Sequence, residues 1–105
     1  MSRVHYPECR VTVAASDERE AFECDDAEVW IEGDLILVSY FDDEGIVVLE
    51  GRPRPEGGYT LSARSRPRRA FLAPVDEYPG SYAGEIEEHG ETSPWSLVFG
   101  EPATA

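Results

Sequence analysis

The chain has 105 residues, 41% of them apolar and 10% aromatic, with 22 acidic groups against 9 basic ones and a formal charge of −13. That length fits one domain able to bury roughly two-thirds of its unfolded surface, and the apolar content supplies a core, which excludes a disordered chain despite the charge. So anionic a chain disfavours nucleic-acid binding, because phosphates are drawn to clustered cations, and the absence of lysine excludes Schiff-base chemistry and a lysine general base.

Residues 1–7 lack the apolar stretch of a secretory signal, so a cytoplasmic address is expected. The longest strictly aliphatic runs, residues 35–38 and 46–49, are far short of the roughly 18 residues of a membrane-spanning helix. Clusters of Gly, Pro and Asp punctuate the chain at short intervals, with β-branched and aromatic runs between them. This pattern predicts strands over 10–15, 28–32, 35–41, 46–52, 59–66, 70–73, 81–88 and 95–99.

Cys9 shares parity with Val11 and Val13, and Cys24 with Phe22, so both cysteines are expected to be small core residues with free thiols. They have no CxxC spacing, and a zinc site would have to be assembled from them with His5 or His89 across the fold. Residues 16–26 read two ways. Asp17 and Glu20 have the spacing of a capping box for a short helix, whereas 21–24 alternate as a strand.

Gly33-Asp34 suits a two-residue hairpin turn with glycine at its positive-φ first position. That turn sets Ile31 opposite Ile36, Val29 opposite Val38 and Trp30 opposite Leu37, which leaves both faces of the hairpin apolar. Gly45 supplies the left-handed residue at the end of the next loop. Phe41 then opposes Ile46, Tyr40 opposes Val47 and Val38 opposes Leu49. The set Trp30, Leu35, Leu37, Phe41, Ile46 and Val48 lies on the face opposite Val29, Ile31, Ile36 and Val38, and is expected to mediate self-association as a symmetric dimer.

Further on, Tyr59, Leu61 and Ala63 alternate with Thr60 and Ser62, and Tyr82 and Ile86 with Glu85 and Glu87. Trp95, Leu97 and Phe99 make an aromatic-rich final strand that closes the core. Sequential strands joined by short turns predict an all-β meander of seven to eight strands, closed or nearly closed into a barrel, with a two-sheet β-sandwich as the alternative. A single domain is expected over 1–100, with 101–105 a flexible tail.

Charge is unevenly spread. Residues 52–69 carry six arginines and one acid, leaving three arginines against 21 acids elsewhere. Arg64, Arg66, Arg68 and Arg69 could bind an anion through their guanidinium groups, but the favoured reading pairs Arg64 and Arg66, which alternate with Ser65, with Glu85 and Glu87 on a neighbouring strand. Asp42, Asp43 and Glu44 at one hairpin tip, and Glu87, Glu88 and Glu91 near another turn, are the candidate contacts for a basic partner. The same acids at the hairpin tip give no specific metal signal. His89, among glutamates and beside Gly90, reads as a turn residue whose protonated form those acids favour.

No phosphate loop, dinucleotide fingerprint or nucleophile elbow is present, and no cofactor or metal is expected. The first functional expectation is a non-catalytic interaction protein, such as an acidic inhibitor or immunity-type partner of a basic macromolecule. The second is a small barrel binding an apolar ligand inside, set back by large side chains such as Trp30, Tyr40, Tyr82, Trp95 and Phe99 that can fill the interior. An enzyme of unrecognised type comes third.

Overall fold

The structure, a computed structural model, describes residues 3–15, 20–42, 45–63, 68–88 and 90–103, and all regular structure among them is β-strand. The strands are β1 (Arg3–Val13), β2 (Phe22–Glu32), β3 (Leu35–Asp42), β4 (Gly45–Pro53), β5 (Tyr59–Ala63), β6 (Arg68–Pro74), β7 (Ser81–Glu88) and β8 (Glu91–Val98). Each pairs antiparallel with the next and β8 returns to β1, so the meander closes into a barrel and the sandwich is not formed. Closure gives every strand two hydrogen-bonded neighbours and removes the open edges of a flat sheet. Among the described residues no helix is long and apolar enough to cross a membrane.

Period-two alternation sets what faces inward. Ile36, Val38 and Tyr40 on β3 are buried, as are Val47 and Leu49 on β4, Leu61 on β5, Leu72 on β6, Ile86 on β7, and Trp95 and Leu97 on β8. The central hairpins adopt the expected registers: Ile31 opposes Ile36, Trp30 opposes Leu37, Tyr40 opposes Val47 and Phe41 opposes Ile46. Gly33 has φ +59°, a left-handed conformation that costs a side chain more than it costs glycine.

Three elements begin well before the sequence expectation. β1 begins at Arg3, with register shifts between Tyr6 and Cys9 and between Cys9 and Val11 that accommodate Pro7, a residue without an N–H for the ladder. β2 begins at Phe22, so the ambiguous stretch is strand from there on, while Asp17 lies outside the described residues. β8 begins at Glu91 and carries Pro94 on its outer side, opposite Glu85.

The backbones of β6 and β7 approach closely at Gly84, which faces Trp95 on β8. A Cβ on Gly84 would stand 1.9 Å from the carbonyl oxygen of Phe71, the same oxygen that accepts a 3.2 Å hydrogen bond from Trp95 Nε1. Only glycine permits that approach, and the indole gains a partner for its buried N–H. Beyond β8, Phe99 N donates to Gly80 O at 2.9 Å and Ala103 N donates to His5 O at 2.7 Å. Residues 101–103, expected to begin a flexible tail, thus lie beside the first half of β1.

Candidate functional site

One end of the barrel holds an internal ion cluster. Arg68 opens β6 on the same side as Ala70 and Leu72, so alternation turns its side chain inward, where it is 2% exposed. Its Nη2 lies 2.9 Å from Asp42 Oδ2, at the end of β3, and 3.1 Å from Glu88 Oε2, at the end of β7. Glu88 faces Arg68 directly in the β6–β7 register, and Glu91 faces Glu88 across the β7–β8 turn. Two carboxylates on one guanidinium keep its charge compensated in a dry interior.

Arginine–glutamate pairs do cross strands here, carried by Arg68 and Arg69, whereas the expected pairing of Arg64 and Arg66 with Glu85 and Glu87 falls on arginines outside the described residues. Arg69 points outward and lies 3.2 Å from Glu87. Arg68 belongs to the interior and Arg69 to the surface, so these two members of the suggested anion patch share no face. Glu88 and Asp42, suggested as partner contacts, are held by Arg68 inside the barrel mouth, whereas Glu87 remains on the outer wall. Asp43, Glu44, Arg64, Arg66 and His89 lie outside the described residues.

The outer wall of β2, β3 and β4 carries Trp30, Leu35, Leu37, Phe41, Ile46 and Val48, as the alternation requires. Phe41 is 65% exposed and Ile46, directly opposite it, 54%. The ring of His5 stacks on Trp30 with centroids 4.5 Å apart and planes 2° from parallel. His5 Nε2 lies 3.4 Å from Glu28. Glu28 and Glu32 flank Trp30 on its own strand, and Glu50 faces Leu37 from β4.

A second outer region is a shallow groove of about 320 Å³ over β5 to β8, lined by Thr60, Arg69, Ala70, Phe71, Glu85, Glu87 and Thr92. The Arg54 guanidinium lies 5.3 Å from the Phe71 ring centroid and is also paired with Glu56. The cations near this groove thus meet carboxylates of the same chain.

At the opposite end of the barrel, Phe99 packs between Tyr6 and Tyr82 at centroid distances of 4.8 and 5.4 Å, and Tyr59 lies 5.6 Å from Tyr82. Burial, and then the neighbouring Tyr82 and Tyr6 phenols, raise the Tyr59 pKa. Cys9 is buried and Cys24 half-buried, both as free thiols. Burial raises both thiol pKa values, and for Cys24 the Asp26 carboxylate, which accepts its hydrogen bond at 2.9 Å, adds to the rise. A raised pKa keeps a thiol in its unreactive protonated form.

Among the described residues no group of three or more His, Cys, Asp or Glu could hold a metal ion. The buried Arg68 cluster escaped the sequence reading although its signal was present: Arg68, Ala70 and Leu72 share one parity, as do Ile86 and Glu88. The aromatic cluster unites residues from β1, β5 and β7 with Phe99, and local spacing carries no sign of that meeting. No family model, no curated protein and no solved structure matches this chain.

Proposed function

We propose that this protein acts by stoichiometric binding to a more basic macromolecule, in the manner of an inhibitor or neutralising partner, without catalysing a reaction. The observation that carries this reading is the fate of the cations. Arg10 pairs with Asp25, Arg52 with Asp34, Arg54 with Glu56, Arg69 with Glu87, and Arg68 with Asp42 and Glu88. With so many of its nine basic groups matched internally, a chain of charge −13 presents carboxylates outward, among them exposed Glu8, Glu20, Glu23, Asp76, Glu77 and Glu85. Such a surface accelerates encounter with a cationic partner and repels an anionic one.

The test is capture by the immobilised protein from an extract of its native source at low and at high salt. Retention of one basic protein in an equimolar complex, released as screening shortens to a few ångströms near 1 M salt, is the expected result. Recovery of no basic protein at low salt, with a small molecule retained through purification by native mass spectrometry, would replace this reading with that of a ligand-binding barrel.

A further inference from the structure

The outer wall of β2, β3 and β4 departs from the usual composition of a barrel exterior. Opposed pairs across the hairpins place Trp30 beside Leu37 and Phe41 beside Ile46, with Leu35 next to Glu32 and Val48 next to Ser39. All six apolar side chains point away from the core formed by Val29, Ile36, Val38, Val47 and Leu49. Scattered exposed apolar residues need no explanation, but a contiguous strip across three adjacent strands is the signature of a contact surface.

The charges around the strip decide what fits it. Glu28 and Glu32 border it on β2, with Arg3 opposite Glu32 on β1, while the nearby Arg52 is offset by Asp34 at 2.8 Å. A second copy of the chain would bring an identical acidic border and another 13 negative charges to the same place. Anionic lipid and nucleic acid meet the same repulsion. We infer that this face docks a partner protein whose apolar side chains are flanked by lysine or arginine. The inference rests on the basic-partner reading above and gives it a location. Exposed aromatic and aliphatic anchors would supply the affinity, and the acidic border the orientation and the encounter rate.

The experiment uses two defined probes on the intact protein: a short amphipathic peptide of leucine and lysine, and oligolysine of the same charge. Binding is mapped by amide chemical shifts and by Trp fluorescence. The amphipathic peptide should perturb β2, β3 and β4 and bind about tenfold more weakly to the Phe41→Ser/Ile46→Ser variant. These two side chains are more than half exposed, so the variant should keep the wild-type fold, and its spectrum serves as the check. Glu28→Gln with Glu32→Gln should weaken binding about threefold and flatten its salt dependence.

Several outcomes overturn the docking face. If both probes bind equally and away from these strands, the face is wrong while the basic-partner reading stands. If neither probe binds at low salt, both fail. If sedimentation finds a wild-type dimer that Phe41→Ser/Ile46→Ser dissolves, the occupant is a second copy. Binding to anionic lipid vesicles that the same variant abolishes would instead assign the strip to a membrane surface.

Discussion

Cys9, Cys24 and Tyr59 hold their protons more tightly in the folded chain than in the unfolded one, with burial the leading cause for all three. Their ordinary values are 9.0 for the thiols and 10.0 for the phenol. The folded pKa is raised, so below the unfolded value both states are protonated and no stability is lost. As pH rises through that value the unfolded chain releases protons that the folded chain retains, and stability falls. The urea midpoint should therefore hold steady between about pH 7 and 8.5 and drop by about pH 10. Growing net charge contributes to any alkaline loss, and variants separate the two causes. Cys24→Ala with Tyr59→Phe should retain more of its own neutral-pH stability at about pH 10 than the wild type does. An alkaline drop of the same size in that variant would show that these groups do not drive it.

At the scale of the strand, β6 offers two neighbouring arginines in opposite settings. Arg68 is buried between two carboxylates, and Arg69 forms an exposed pair with Glu87. Removing the cation from a buried pair strands its partners, at a cost of about 3–5 kcal/mol, whereas an exposed pair contributes at most about 1 kcal/mol. Arg68→Met should lower the unfolding free energy in urea by the larger amount and Arg69→Met by the smaller. Equal small losses would mean that the internal cluster is solvated and structurally idle. The hairpins of β2, β3 and β4 were readable because Gly33 and Gly45 mark their turns, and turn position fixes the register even where both faces are apolar. The first half of β1 and the start of β8 were not, because Pro7 and Pro94 read locally as strand breakers. A bulge at one and an outward position at the other accommodate them, and both are decided by neighbouring strands. Arg68 was hidden for a different reason. Residue type argued for the surface while parity argued for the interior, and only the carboxylates of β3 and β7 let parity prevail.

For the whole molecule, closure joins sequence-distant segments at the seam between β8 and β1, where Val11 faces Leu97 and Val13 faces Trp95. All other neighbouring pairs are consecutive hairpins with short connections, the contacts that form most readily in a folding chain. The seam continues past β8, with the amide of Ala103 on the carbonyl of His5 and Gly100 packed against the backbone of Glu8. Residues 3 and 103 therefore lie at the same end of the barrel, close enough for a short Gly/Ser linker to join them. The opposite cut is available at Pro55 and Glu56, both exposed between β4 and β5 in a turn held by Arg54 N to Gly58 O at 2.9 Å. A circular permutant joined at 103 and 3 and opened between 55 and 56 converts the seam into a local hairpin and makes the β4–β5 pair the long-range closure. Because loop-closure entropy varies only slowly with loop length, the permutant should keep the wild-type sheet spectrum and a single cooperative unfolding transition, with a stability loss of no more than about 2 kcal/mol. Opening between Gly33 and Asp34 should cost more, since that cut separates Trp30 from Leu37 and Ile31 from Ile36 in sequence and leaves the most apolar pair of strands to find each other last. A permutant cut at 55 that fails to fold, while one cut at 33 folds normally, would contradict the seam as described and place the closing contact elsewhere in the barrel.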